Sequence, residues 1–276
     1  MVGQSIDCNH TTHEKPIMKN CQPFIIATIV VSGALMIQSP LHAADTPKVS
    51  TFAPAEDLAG QVGQYIKAMK SVVADEQEYK DSEGKIVRDA STLAVIALAL
   101  GLHDQDSKYK ANAGALMKAA QDVAATKDFE SAKKAVAALE AVAEKEGTAG
   151  GDLKWEKVAP LPELMKQVPM VHTKLKLYVK GANFKKKAKD TAGYSAVIAA
   201  IAQGTIADTS ATKNADQVKL WQKFSEAMRQ DAGEVNAAVH KGDEAATAAA
   251  MKKLNQSCED CHAVFKPAVA ANANGK

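Results

Sequence analysis

Cysteine and aromatic side chains are both scarce in this chain, with four cysteines and 5% Phe, Trp and Tyr in 276 residues. So few cysteines exclude a disulfide-stapled framework. Few aromatics and abundant alanine favour helices packed closely through small side chains over a sheet protein. An excess of one charge is missing too. The formal net charge is +2 with no basic stripe, so nothing supports a nucleic-acid surface. No stretch reads as a strand, and no phosphate loop, Ser-His-Asp set or paired-carboxylate site is present.

Residues 1–44 read as a leader with a signal peptide, and Met18 is its expected start. Met18-Lys19-Asn20 supplies a basic start, Pro23 to Ile37 an apolar run, and Ala43-Ala44 a small-residue cleavage site. An uncleaved membrane anchor is the alternative, since no charge interrupts the run from Asn20 to Ala44. Export to the periplasm is the expectation. Cleavage removes Cys8 and Cys21, so the mature chain keeps Cys258 and Cys261 alone.

Beyond the leader the chain reads as helix after helix. Apolar residues recur at helical spacing over 57–79, 88–102, 108–125 and 128–145. Gly and Pro collect over 146–163, and the pattern restarts over 161–181, 189–204, 216–240 and 242–266. The stretch "KDTAGYSAVIAAIAQG" repeats "RDASTLAVIALALG" with the same Ala-Val-Ile-Ala core. Two repeats of roughly a hundred residues predict an all-α chain of two tandem antiparallel four-helix bundles. The first bundle is placed at 55–146, a linker at 147–160, the second bundle at 161–267 and a flexible tail at 268–276.

The chemistry lies in Cys258-Glu259-Asp260-Cys261-His262. On a helix the two thiols share one face and can reach neighbouring substituents on the edge of a flat macrocycle. The next residue, His262, can then ligate iron as the proximal donor. C-x-x-C-H is the attachment signature of c-type haem, so one covalent haem c per chain is expected. A thioredoxin-like C-x-x-C would open a helix after a strand, and zinc would need further Cys or His ligands.

With the residues that follow it, "CEDCHAVFK" resembles the C-terminal signature of the cytochrome c prime family, the class II c-type cytochromes. Phe265 and Lys266 stand where the family has an aromatic and a basic residue, and Gly242-Asp243 opens the last helix at the family's usual distance. The resemblance covers roughly residues 160–266 and implies a four-helix bundle with haem on its last helix. Two departures stand out. Family members have one bundle per chain, and the first repeat shows "VAEKEGT" (142–148) at the motif's place, so that half is expected to be haem-free.

In the family a residue of the first bundle helix faces the distal side of the iron. Counting back from Lys180-Gly181, that position falls on Met165. A methionine ligand implies six-coordinate iron and one-electron transfer, and an open position implies binding of nitric oxide or carbon monoxide. Met170 and His172 are the other candidates, since Pro169 can shift this helix, and methionine is also an ordinary core filler. Met69, in the haem-free repeat, is expected to hold a place like that of Met165. His103, His172 and His240 are expected to be solvated, and Lys185-Lys186-Lys187 to form a solvated loop or to steer an acidic partner. The expected role is an electron carrier, not an enzyme; a peroxidase would need polar distal groups, of which His172 is nearly the sole example. Expected partners are redox proteins. The resemblance also implies pairing, as a homodimer or as an intrachain pseudo-dimer of the two repeats.

Overall fold

The computed structural model describes residues 46–145, 147 and 152–274. The leader expected over 1–44 lies outside the described residues. What is described is all-helical, without a strand.

Helix α1 (Ala55–Val72) begins directly after Pro54, whose fixed φ suits a helix entry. It buries Leu58, Val62, Tyr65, Ile66 and Met69, the spacing of one helical face. The chain breaks at Val73, and Asp75 caps α2 (Glu76–Gly101) by accepting from the Gln77 and Glu78 backbone N–H groups. Ser82 leaves helical geometry, and beyond it every residue from Asp89 to Leu100 is buried. Helices α3 (Ala113–Ala124) and α4 (Phe129–Glu144) complete the first half. The second half contains α5 (Leu161–Tyr178), a short α6 (Ala182–Lys186), α7 (Ala188–Thr205), α8 (Ala215–His240) and α9 (Glu244–Asn274).

In the first half α1 packs on α2 and α4, and α3 on α2 and α4. In the second, α5 packs on α7 and α9, and α8 on α7 and α9. Contacts between halves are reciprocal. Helix α1 meets α7, α5 meets α2, and α2 meets α7. One apolar cluster runs through both halves, from Leu58 and Leu98 to Val197 and Leu254. Gly193 of α7 leaves room for a side chain of α1: a Cβ there would lie 2.2 Å from Gln61 Nε2.

Polar groups also join the halves. Asn236 Nδ2 donates to Asp57 Oδ2 at 2.7 Å and to the Ala192 carbonyl at 2.9 Å. His240 Nε2 lies 2.7 Å from the same Asp57 oxygen, and Gln167 Nε2 donates to the Tyr65 hydroxyl at 2.6 Å. His103, expected at the surface, is instead buried, because its Nε2 reaches the Ala53 carbonyl while its Nδ1 accepts from Gln105 N–H. The described part of the connection, 152–160, packs against the protein: Val158 and Ala159 are buried, and Leu153 and Trp155 pack on the shared core.

Candidate functional site

Cys258 and Cys261 are free thiols on one face of α9, both half-buried. They open on a cleft of about 270 Å³ lined by α5, α8 and α9 and by Thr205 at the end of α7. From α5 come Met165, Val168, Pro169, His172 and Lys176; from α8 come Trp221, Phe224, Ser225 and Met228. Helical spacing selects the α5 set, since residues 165, 168, 169, 172 and 176 recur at three- and four-residue steps.

The floor is aromatic. Trp221 is buried and donates its Nε1–H to the Thr205 carbonyl at 2.9 Å, which leaves its ring free to pack. Phe265 meets it edge-on with centroids 5.2 Å apart, and Phe224 meets Phe265 at 6.2 Å. Leu161, Met165 and Cys261 pack on this cluster. Two turns further along α5, His172 lies by Asn255. The two helices therefore run antiparallel, which sets Met165 level with Cys261 and His262 and His172 level with Asn255.

Burial pushes both thiols up to about 11; the negative charges of Asp231 and Glu259 add to the effect at Cys258, as does Cys258 at Cys261. Nucleophilic redox cysteines have the opposite shift and sit at helix N-termini. These thiols are neutral groups on an apolar wall. His262 stands at the mouth, where burial and then the Lys266 charge lower its pKa, keeping the imidazole neutral with a lone pair available. Burial and then Lys176 lower that of His172, while Asn255 opposes the shift. His172 Nε2 and Asn255 Oδ1 are both buried in this cleft, and the two side chains interact with each other.

Among the described residues no three His, Cys, Asp or Glu side chains converge to hold a metal ion. The donor set suits a flat iron macrocycle joined at its edge and ligated at its centre better than it suits a single enclosed ion. At about 270 Å³ the cleft is slightly smaller than ordinary small-molecule sites, about 300–1,000 Å³. A flat macrocycle would need side chains to move aside, and the unbranched Met165 and Met228 would do so at low cost.

The structure brings together four residues predicted for the site: Cys258, Cys261, His262 and Met165. His172 joins them and is half-buried, not fully solvated. Met170 does not: it is 50% exposed on another face of α5. Met69 is not the counterpart of Met165. Matched from their proline-led starts, α1 and α5 pair Met69 with Leu175, both fully buried, and Met165 with Ala59. Thr205, Phe224, Asn255 and Lys176 were not foreseen. Asn255, one helical turn before Cys258, and Lys176, one turn after His172, carried a sequence signal in their helical spacing. Compared with known proteins, the chain matches no family model, no curated protein and no solved structure. Among the described residues no helix is long and apolar enough to cross a membrane.

Proposed function

We propose that this chain is an exported monohaem c-type cytochrome, similar to the cytochrome c prime family, that carries single electrons and catalyses no reaction. The observation that carries the reading is the C-x-x-C-H segment, whose two thiols share one face of α9 and open on the apolar cleft. When bound, the haem supplies one-electron chemistry by alternating between its ferric and ferrous forms.

The residues of the chain supply attachment, ligation and dryness. Cys258 and Cys261 would hold the haem through thioether links, and His262 would be its nitrogen donor to iron. Met165, on the facing wall of the same cleft, would be the further donor, and its sulfur would favour the reduced metal. Trp221, Phe224 and Phe265 exclude water from one wall. The two halves are tandem four-helix bundles joined as an intrachain pseudo-dimer. Support for this comes from the reciprocal packing of each half's first helix on the other's second. The leader, by its three-part pattern, directs the chain to the periplasm.

The test is absorption spectroscopy of the purified ferrous protein with and without carbon monoxide. Sharp low-spin bands that resist the gas, and that Met165→Ala abolishes, are expected. A high-spin spectrum that shifts at once would give the site to nitric oxide or carbon monoxide binding. Cys258→Ser with Cys261→Ser should release the haem on acid-organic extraction; retention would refute covalent attachment.

A further inference from the structure

Away from the cysteine cleft, a cavity of about 210 Å³ lies in the seam where the two halves meet, lined by α1, α2, α5 and α7. Two glutamines face each other's half there. Gln61 and Gln167 are each the seventh residue of their helices, α1 and α5, and both are buried, at 2% and 6% exposure. Gln167 Nε2 donates to the Tyr65 hydroxyl at 2.6 Å, while its Oε1 is buried with no hydrogen-bond partner. Gln61 makes no side-chain hydrogen bond among the described residues. Burial, then the Asp89 charge, keeps the Tyr65 hydroxyl protonated, and it donates to no group among the described residues.

The same cavity is cationic. Arg88 Nε lies 3.6 Å from Asp89 Oδ1, so these two charges offset each other. Lys85 of α2 and Lys174 of α5 line the cavity too and form no ion pair among the described residues. Lys174 Nζ lies 5.0 Å from the centre of the Tyr194 ring, which holds its ammonium at the cavity wall. Both lysine charges act on Asp89, so they stand on one patch of the seam. The cavity thus offers two uncompensated positive charges, a hydroxyl donor and a buried amide acceptor. Water would satisfy the amides and leave the excess charge, and an apolar molecule would strand every one of these groups. An anion with no proton to give would meet the lysines and leave Gln167 Oε1 unpaired. A dianion that also carries a hydroxyl meets the whole set.

We infer that this cavity binds a small dianion bearing a hydroxyl, the chemistry shared by hydroxy-dicarboxylates and hydrogen phosphate. Its negative oxygens face Lys85 and Lys174 and accept from the Tyr65 hydroxyl, and its own hydroxyl donates to Gln167 Oε1. The volume limits the occupant to few heavy atoms, since ordinary small-molecule sites run to about 300–1,000 Å³. Both halves supply the walls, so an occupant binds the joined arrangement and stabilises it. No residue lines both this cavity and the cysteine cleft, and the inference stands apart from the cytochrome reading.

The experiment is isothermal titration calorimetry of the full chain with four probes at constant ionic strength: L-malate, succinate, inorganic phosphate and sulfate. Mildly alkaline buffer keeps phosphate chiefly as its hydroxyl-bearing dianion. Malate or phosphate should bind at one site per chain, at least about tenfold tighter than its hydroxyl-free counterpart, succinate or sulfate. Binding of malate alone assigns the site to a hydroxycarboxylate, and of phosphate alone to the free anion. The double variant K85Q/K174Q should bind about tenfold or more weakly, with the Tm of the unliganded protein unchanged. Gln167→Met keeps the size of the side chain without its amide and should bring malate and succinate within about twofold of each other. Wild-type Tm should rise with the concentration of the tighter probe. No saturable binding of malate or phosphate overturns the inference. Equal affinity for the hydroxyl-free counterparts overturns it too, as plain charge attraction, and so does a lysine variant that binds like wild type. Should Gln167→Met unfold, the paired probes and the lysine variant still decide. Calorimetry reads binding with or without haem on the chain, so failure here leaves the cytochrome reading standing.

Discussion

Asn236→Ala should be among the most damaging polar substitutions in this protein. Asn236 projects from α8 and donates to Asp57 on α1 at 2.7 Å and to the Ala192 carbonyl of α7 at 2.9 Å. A buried hydrogen bond to a carboxylate contributes about 1.5–3 kcal/mol and a neutral one about 0.5–1.5. Ala192 O also accepts from Ser195 Oγ and Asp57 keeps His240, so neither acceptor is orphaned. The loss is therefore about 2–4 kcal/mol. For a chain of this size each kcal/mol moves Tm by about 2–4 °C, which gives a drop of roughly 4–16 °C. Because the bond links one half to the other, the whole transition should move as one in both calorimetry and urea unfolding. A double-mutant cycle with Asp57→Ala should show coupling of about 1 kcal/mol or more. A shift under about 0.5 kcal/mol, or purely additive effects, would refute the view that this network clamps the halves.

Gly233→Ala should also destabilise, by about 1–3 kcal/mol, since the new Cβ would sit 3.0 Å from Phe52 Cα and 3.3 Å from its carbonyl oxygen. An unchanged urea midpoint would show that the segment before α1 yields freely. His172→Leu removes the interaction with Asn255 and leaves the buried Asn255 Oδ1 without it, so stability should fall by about 1 kcal/mol, read as a lower urea midpoint; an unchanged or higher midpoint would show that the pair contributes nothing. Asp104 accepts from the Ser50 side chain and backbone N–H, which hold its carboxyl down to about 2. A depressed carboxylate stabilises the fold above its unfolded value near 3.9, and that contribution is lost as pH falls from about 4 towards 2. Asp104 is exposed, so the contribution stays below about 1 kcal/mol. Ser50→Ala should move the NMR-monitored titration of Asp104 upward, and a titration that stays put would count against the Ser50 bonds as its cause.

Where the apolar period is strong, the helices were legible. The expected helix 216–240 is α8, Ala215–His240, which Asn214 also caps, and 189–204 is α7, Ala188–Thr205, which has no side-chain cap. Where the period weakens, legibility fails. The expected helix 57–79 breaks at Val73, because Asp75 starts a new helix through its side chain. That helix begins twelve residues before the expected 88, in a polar stretch that has no apolar period to betray it. Short α6 depends on Phe184, a single buried anchor, and carries no periodic signal. The connection before α5 read as a linker from its Gly and Pro content. Its few apolar residues, Leu153, Trp155 and Val158, nevertheless pack on the core.

For the site, the sequence by itself determined that Cys258 and Cys261 share a face and that His262 follows them, because the helical period leaves no other arrangement. It also singled out Met165, with Met170 and His172 as the alternatives on the same helix. Only the tertiary structure decided which groups meet that face. The antiparallel register of α5 and α9 sets Met165 level with His262 and turns Met170 outward. The fold of α8 beneath them supplies the aromatic floor, with Trp221 anchored on Thr205 sixteen residues back. A register between helices arises from side chains interlocking across distant segments, and no local pattern encodes it.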